Sequence, residues 1–342
     1  MEPDPEADVD TCPIEGACRR CPGGGPIRAT MTTPTMNRVH AYAAASAGAP
    51  IRPMTIERRA PRPDDVVIAI SHCGICHSDI HQARDEWGGS RFPMVPGHEI
   101  VGRVVEVGPG VTKHAVGDFV GVGCLVDSCR TCEFCERGLE QFCLNGSAPT
   151  YNGTEMDRQT PTYGGYSGRI VVPESFVLRI PSSIDPSGAA PLLCAGITTY
   201  SPLRRWRVTS GTRVAVVGLG GLGHMGVKIA RAMGAEVTVL STSDGKADDA
   251  RRLGAHEFVN TKTPGAMKKL ARRFDVILDT VSAPHDYDAQ LRTLRAEGVM
   301  AIVGAPAEQV SIRPFSMIAG SKTIAGSRWY CSISRWVRAM TW

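Results

Sequence analysis

The segment VAVVGLGGLGH occupies residues 214–224 and decides the fold of the second half of the chain. Its first four residues are apolar and predict a buried strand, and Gly218, Gly220 and Gly223 follow with the spacing G-x-G-x-x-G. Such glycines permit a tight turn and let backbone N–H groups approach a pyrophosphate at the start of the next helix. Because strand, turn and helical sequence follow in order, this turn, with Gly221 and Leu222 inside it, predicts dinucleotide binding rather than a plain structural turn.

The sequence beyond the turn keeps alternating between strand-like and helix-like segments. Helices are predicted over 224–233 and 247–253, and strands over 213–217, 236–240, 256–260, 274–279, 299–303 and 323–325. This alternation is typical of βαβ units, so we predict an α/β region with a doubly wound parallel sheet of the Rossmann type.

The end of the second strand in this region indicates which dinucleotide is bound. A site for NAD usually has Asp or Glu about 20 residues after the glycines, where it binds the ribose hydroxyls. Here Ser241, Thr242, Ser243 and Lys246 supply hydroxyls and a cation, which suit a 2′-phosphate. We therefore predict NADP(H), although Asp244 lies close enough in sequence to reach the ribose if the turn has another shape.

The first half of the chain has a different sequence pattern. Short segments rich in valine and separated by Gly and Pro predict strands over 39–43, 65–70, 97–107, 118–124, 164–172 and 176–180. Strands at such intervals indicate a mostly β region.

Four cysteines in this β region have the spacing of a closed metal site. Cys129, Cys132, Cys135 and Cys143 form a C-x2-C-x2-C-x7-C run, which lets one loop surround a tetrahedral ion with four thiolates. A closed site has no position for substrate, so a structural zinc is predicted.

A second set of ligands precedes that run. Cys76 and His98 are two soft ligands that only a folded domain brings together. With a distant third cysteine they would form a Cys2His site, the kind that keeps its fourth position open for chemistry.

Composition excludes several other classes of protein. The 342 residues are 42% hydrophobic, which suffices for a large core, and a net charge of +4 without a basic run gives no case for nucleic acid binding. The sequence predicts no membrane span. Its twelve cysteines in a long chain without a signal-like N-terminus favour reduced metal ligands, so we expect a cytoplasmic protein.

The first thirty residues are rich in Pro, Gly and charge, and we expect them to be disordered. Cys12, Cys18 and Cys21 fit a solvated tail better than a metal site, and Met31 is a second candidate translation start.

Several motifs in collinear order resemble those of the zinc-dependent medium-chain alcohol dehydrogenases, and within them the cinnamyl-alcohol-dehydrogenase-like branch that uses NADP. The resemblance covers about residues 39–327 and rests on GICHSDIH at 74–81, VPGHE at 95–99, GVGC at 121–124 with the four-cysteine run, GGY at 164–166, LLCAG at 192–196 and the glycine turn.

This resemblance implies a GroES-like catalytic domain over 31–190 followed by a Rossmann NADP-binding domain over 191–327. It supplies Cys194 as the third ligand of the catalytic zinc, whereas the residues alone would make Cys194 a buried core cysteine. It also implies that Ser78 and His81 carry a proton from the substrate oxygen towards solvent, because a histidine titrates near neutral pH. The implied activity is hydride transfer between NADP(H) and a primary alcohol or aldehyde, with aldehyde reduction the expected direction.

The resemblance further implies roles for three residues around this site. Asp79 aligns the zinc histidine, Glu99 orients the site or transiently joins the metal, and His77 contacts a cofactor phosphate. We assign Cys73 and Cys124 to packing, and expect Trp87 and Met94 either to line the substrate pocket or to belong to ordinary core.

Residues 328–342 depart from the family pattern, and we expect an aberrant tail that lowers stability by exposing apolar surface. The resemblance implies a homodimer, which this tail puts in doubt. The alternative function is a catalytically inactive relic that binds zinc or nucleotide without turnover, and a zinc-free quinone-reductase type is a weaker third alternative.

Overall fold

The computed structural model describes residues 37–306 and 308–327. The predicted disordered extension over 1–30, the candidate start at Met31 and the tail over 328–342 lie outside the described residues. The boundary near residue 190 stays a prediction.

The first half of the chain consists mainly of strands, whereas strands and helices alternate in the second half. The strands are β1 Asn37–Ala43, β2 Arg52–Arg58, β3 Asp65–Cys73, β4 Ile100–Val107, β5 Phe119–Val122, β6 Leu125–Asp127, β7 Ala148–Pro149, β8 Gly153–Thr154, β9 Pro161–Thr162, β10 Arg169–Pro173, β11 Leu178–Arg179, β12 Arg213–Val217, β13 Glu236–Ser241, β14 Glu257–Asn260, β15 Phe274–Asp279, β16 Leu294–Ile302 and β17 Thr323–Gly326. The helices are α1 His77–Ala83, α2 Glu133–Glu136, α3 Pro186–Ala189, α4 Ala195–Arg205, α5 Gly221–Ala232, α6 Ala247–Arg252, α7 Ala266–Lys269, α8 Tyr287–Thr293 and α9 Pro314–Ile318.

The first half is built on a five-stranded antiparallel sheet with the order β10-β3-β4-β5-β11. Its central strands bury aliphatic side chains such as Val66, Ile68 and Ile100, which form one core with their neighbours. The predicted β region is confirmed. Strand β2 was missed, because its sequence RPMTIER mixes charge and proline, and it pairs with β1 in a separate two-stranded sheet.

Two predicted strands in this half begin too early, and the strand expected over 97–107 is β4, which starts at Ile100. We expected a strand over 164–172, but β10 begins at Arg169. The chain at Gly164 instead passes so close to residues 96–97 that a Cβ on Gly164 would lie 2.3 Å from the carbonyl oxygen of Pro96. Gly164 and its neighbours therefore lie against the VPGHE segment, and they do not belong to the hydrogen-bonded ladder of β10.

The second half contains a six-stranded parallel sheet with the order β14-β13-β12-β15-β16-β17. The first strand of the region, β12, lies in the middle, and the strand order reverses between β12 and β15. This is the order of a Rossmann fold, and ligands bind such sheets outside the carboxyl ends of the strands at the reversal. The prediction of a doubly wound sheet is confirmed.

Helix α5 begins three residues earlier than predicted. It starts at Gly221 and not at His224, with Gly220 as its N-cap. The last glycines of the turn thus already belong to the first helical turn.

One buried apolar cluster joins elements from both halves. It contains Val101 of β4, Leu178 of β11, Ile197 of α4 and Leu193 just before that helix, together with Ile180, Ala189 and Ala190. Leu193 is the residue before Cys194, so the packing between the halves fixes the position of that cysteine.

Candidate active site and structural metal site

Three predicted ligands converge at the junction of the halves. Cys76 is the N-cap residue of α1, His98 precedes β4, and Cys194 is the N-cap residue of α4. The Sγ atoms of Cys76 and Cys194 are 3.8 Å apart, and His98 Nε2 lies 3.2 Å from Cys194 Sγ. Two thiolates bound to a tetrahedral zinc at about 2.3 Å would be about 3.8 Å apart, so the donor set and its spacing fit zinc.

The electrostatics of this cluster favour a bound cation. The neighbouring Cys194 thiol and burial together raise the pKa of Cys76 to about 12. Both thiols are thus neutral near pH 7 unless a positive charge offsets the cost of ionising them side by side.

Asp79 ties two of these ligand segments together. Its Oδ2 accepts a hydrogen bond from Cys76 N at 2.9 Å, and its Oδ1 accepts from Gly97 N at 2.9 Å and from His98 Nδ1 at 3.1 Å. Although burial opposes ionisation, these donors hold the pKa of Asp79 below its ordinary value. The carboxylate thus leaves Nε2 of His98 free to face the cluster, as expected for a residue that aligns a metal ligand.

Glu99 is buried beside the same cluster. Burial, with the charge of Cys76, raises the pKa of the Glu99 carboxyl to about 7, and the backbone N–H of Ala195 donates to it. Gly74 makes room for it, since a Cβ there would lie 1.9 Å from Glu99 Oε2. Glu99 therefore connects the segment of Cys76 with the start of α4.

Three aromatic rings stack along α1 and the turn that follows it. The His81 ring lies between those of His77 and Trp87, with centroid distances of 4.5 and 4.7 Å. His81 Nδ1 is hydrogen bonded to the Glu86 carboxylate, and this contact lowers the pKa of Glu86. His81 Nε2 is buried without a partner among the described atoms.

Glu86 is a residue that the sequence analysis missed. It lies five residues after His81, beyond the end of α1, and only the turn after that helix brings its carboxylate back to the ring. A short spacing from a histidine to an acid was the only available signal, and such spacings are common.

The four-cysteine run forms a compact cluster as predicted by its spacing. Cys129, Cys132, Cys135 and Cys143 place all their sulfur atoms within 4.8 Å of one another. Backbone N–H groups point at these sulfurs: Cys129 N is 3.4 Å from Cys143 Sγ, and Leu144 N is 3.5 Å from Cys132 Sγ. The backbone at Thr131 lowers the pKa of Cys129 to about 5, whereas burial raises the pKa of Cys135 to about 12. The loop thus stabilises some of the thiolates itself, and the clustered sulfurs fit a closed zinc site whose cation would stabilise the others.

Cys73 and Cys124 lie outside both clusters of metal-binding residues that occur among the described residues. The Cys124 Sγ atom is 3.9 Å from the carbonyl oxygen of Leu193, and Cys73 Sγ packs against Gly97 and Gly165.

Met94 is buried and does not line the large cleft described next, whereas Trp87 does.

A cleft of about 950 Å³ opens between the halves. On one side it is lined by Cys76, Ser78, His81 and other residues of the first half, and on the other by the glycine turn and residues 280–283 after β15. The carboxyl ends of the strands at the sheet reversal thus face the predicted metal ligands.

The glycine turn has the features that a dinucleotide needs. Gly218 has a φ of +85°, and a Cβ on Gly223 would lie 2.2 Å from the carbonyl oxygen of Gly218. A Cβ on Gly220 or Gly221 would meet no atom within 4 Å, so the backbone there is open to the cleft.

The structure places the predicted 2′-phosphate residues beside this turn. Thr242, Ser243 and Lys246 are exposed, and Lys246 Nζ donates to the Leu219 carbonyl oxygen at 3.3 Å. Ser241 is buried at the end of β13, and Asp244 is exposed in the same turn.

Comparison with known proteins agrees with this arrangement. Residues 62–182 match the family described as "Alcohol dehydrogenase GroES-like domain", and residues 221–342 match the family described as "Zinc-binding dehydrogenase". The second range extends across 328–342, the segment that the sequence analysis set apart from the family.

Two curated relatives and one solved structure show how close the match is. The chain is 58% identical over 273 residues to "Probable formaldehyde dehydrogenase AdhA" of Bacillus subtilis (strain 168), covering 80% of this chain and 78% of the relative. It is 54% identical over 293 residues to "NADP-dependent alcohol dehydrogenase C 1" of Mycolicibacterium smegmatis, covering 85% and 84%. A cinnamyl alcohol dehydrogenase structure from Sorghum bicolor superposes with a TM-score of 0.86 at 44% identity, covering 89% of this chain and 86% of that one.

The fold and the site therefore define a zinc-binding oxidoreductase with a GroES-like domain and a Rossmann domain. The chain belongs to the zinc-dependent medium-chain alcohol dehydrogenases, in their cinnamyl-alcohol-dehydrogenase-like branch.

Proposed function

We propose that this protein is an NADP-dependent zinc alcohol dehydrogenase that interconverts primary alcohols and aldehydes, with aldehyde reduction as its main direction. The observation that carries this proposal is the position of Cys76, which belongs to the metal-binding cluster and also lines the cleft opposite the open glycine turn. Metal, substrate and cofactor would thus meet in one cavity.

Cys76, His98 and Cys194 would hold the catalytic zinc, with Asp79 and Glu99 orienting them. When bound, zinc supplies Lewis acidity at the substrate oxygen and NADP(H) supplies or accepts the hydride. The ligands themselves contribute a Cys2His set, which leaves a coordination position for substrate. Cys129, Cys132, Cys135 and Cys143 would hold a second, structural zinc.

Ser78 and His81 would move the proton. Both line the cleft, and the buried Nε2 of His81 has no partner among the described atoms, so it is available to a hydroxyl of bound cofactor or substrate. Glu86 is hydrogen bonded to Nδ1 and fixes the orientation of the ring. His81 would therefore pass a proton between the cleft and solvent while Glu86 holds its ring in place.

NADP(H) is proposed on two grounds. The relative from Mycolicibacterium smegmatis is named as NADP-dependent, and Thr242, Ser243 and Lys246 offer exposed hydroxyls and a cation at the end of β13. His77 is exposed and lines the cleft, and it would contact a phosphate of the cofactor. Ser241 is buried at the end of β13, and it would support the turn that carries the exposed hydroxyls.

The alternative of an inactive relic has no observation in its favour, since all seven predicted ligands assemble into two clusters. Among the described residues, no helix is both long and apolar enough to cross a bilayer. The cytoplasmic location and the homodimer stay predictions.

The test is NADPH oxidation with cinnamaldehyde, benzaldehyde and aliphatic aldehydes, with NADH as the comparison. We expect turnover with NADPH and much less with NADH. A zinc-loaded protein that reduces none of these aldehydes with either cofactor would overturn the proposal and favour the relic.

A further inference from the structure

The loop after β15 forms part of the cleft wall. A histidine outside the predicted site holds this loop in place through hydrogen bonds. Residues 280–283 line the cleft, and His285 lies just beyond them with its side chain 16% exposed. Asp279, the last residue of β15, is completely buried below the loop. His285 bridges this carboxylate and the loop.

Nδ1 of His285 faces a carbonyl oxygen and Nε2 faces the carboxyl group of Asp279, and both of these groups accept hydrogen bonds when Asp279 is ionised. Nδ1 lies 2.8 Å from the carbonyl oxygen of Ala283, and Nε2 lies 3.1 Å from Asp279 Oδ2. A neutral imidazole has one donor and one acceptor nitrogen, so it can satisfy only one of these partners. Opposite an ionised Asp279 the two contacts together require the imidazolium form, with that carboxylate as its counter-charge.

The loop held by His285 fits closely against the glycine turn. A Cβ on Gly218 would lie 2.8 Å from Val281 Cγ2, and one on Gly304 would lie 2.3 Å from the Val281 carbonyl oxygen. Thr280 N also donates to Val217 O at 3.1 Å. A shift of this loop would therefore change the cavity on the side where the glycine turn opens.

We propose that protonated His285 is a positioning residue that holds residues 280–283 in the shape that binds NADP(H), and thereby makes cofactor affinity depend on pH. The proposal rests on the proposed function, because it takes the cleft to be the cofactor site.

The groups around His285 fix the direction of this pH dependence. Asp279 of β15, with Asp286 and Tyr287 at the start of α8, are the titratable groups that face it, and Tyr287 stacks on the ring at 4.2 Å. Burial lowers the pKa of His285, but the hydrogen bond and charge of Asp279 outweigh it, so the pKa lies above its ordinary value. Burial raises the pKa of Tyr287 to about 12, which keeps that ring neutral. Both contacts of His285 are therefore made below its raised pKa, and one is lost as pH rises through it.

The experiment measures the Kd of NADPH by fluorescence titration from about pH 6 to pH 9. In the wild type we expect affinity to fall about ten-fold across the His285 titration, which is the effect of losing one charged hydrogen bond. His285→Gln should bind weakly throughout and lose this part of the pH dependence. The matched control is His256→Gln, because His256 Nδ1 accepts from Val237 N at 2.9 Å, a contact that needs no extra proton.

Identical pH dependence in the wild type and His285→Gln would overturn the proposal. An NMR titration of the His285 imidazole in the wild type provides a readout that does not depend on the variant or on cofactor. A pKa at or below about 6.5 would contradict the doubly hydrogen-bonded imidazolium, and a higher value would support it. Failure of the wild type to bind NADPH at any pH would instead refute the proposed function.

Discussion

Asp79 shows at the scale of single residues how the site is assembled. One buried carboxylate accepts hydrogen bonds from Cys76 N, Gly97 N and His98 Nδ1, so it fixes two metal ligands from separate segments. Three donors to one carboxylate require its ionised form, and an amide in its place offers only one acceptor oxygen.

Replacing Asp79→Asn should therefore weaken zinc binding at the catalytic site by about 10- to 100-fold, as is usual when the partner of a ligating histidine is lost. Competition with a chromogenic chelator measures this affinity. Tyr166→Phe is the control, because Tyr166 Oη makes only a long contact of 3.4 Å to Asp79. Equal zinc affinities for Asp79→Asn and the wild type would show that the alignment of His98 is not needed.

The sequence was informative about residues whose roles follow from fixed spacing. The run from Cys129 to Cys143 and the turn at Gly218 have local geometry that sequence distance controls, and both assemble as predicted. Contacts such as Glu86 with His81, or His285 with Asp279, depend on how the chain turns after a helix or strand, and no spacing rule encodes them.

At the scale of elements, one glycine of the turn is required by the packing of the fold, and another leaves room for a ligand. Gly223 lies against the backbone of Gly218, whereas Gly221 faces open cleft. The two glycines occupy neighbouring positions of one helix start, so they form a matched pair for mutation.

Gly223→Ala should lower the free energy of unfolding by about 1–3 kcal/mol, since its Cβ would overlap a carbonyl oxygen. Gly221→Ala should leave the thermal midpoint unchanged or slightly raised, because Ala costs less entropy than Gly in a helix, yet it should raise the KM for NADPH. Thermal melts and steady-state kinetics of both variants check this. A Gly221→Ala enzyme with normal KM would show that the cofactor does not approach the turn closely.

Strand patterns predicted the buried elements better than the exposed ones. Most strands of the parallel sheet were predicted to within a few residues, because β12 and β15 contain apolar runs at 214–217 and 276–278, whereas β16 begins five residues before the predicted strand. Strand β2 lacks that pattern, since it is half exposed in a two-stranded sheet, and it was missed.

For the whole molecule, the two halves share the cluster around Leu193, and the third metal ligand follows directly in sequence. Sequence alone could not position Cys194, since its place depends on packing between elements far apart in the chain. The family resemblance supplied that residue, and the structure brings it to Cys76 and His98.

Leu193→Ala should lower the free energy of unfolding by about 2–5 kcal/mol and also weaken zinc binding at the catalytic site, because the cavity lies next to Cys194. Leu203→Ala is the matched control, since Leu203 is equally buried but belongs to the core of the second half. It should destabilise the fold by a similar amount without changing zinc affinity. Chemical denaturation and chelator competition measure the two effects, and equal loss of zinc in both variants would contradict the coupling.

The most direct test of the account is the zinc content of the purified protein and of Cys76→Ser, measured by atomic emission together with NADPH-dependent aldehyde reduction. The matched control is Cys73→Ser, because Cys73 lies three residues away and belongs to neither cluster. We expect two zinc ions per chain with turnover in the wild type and the control, and one zinc ion without turnover in Cys76→Ser. Two zinc ions and normal turnover in Cys76→Ser would contradict the assignment of the catalytic site.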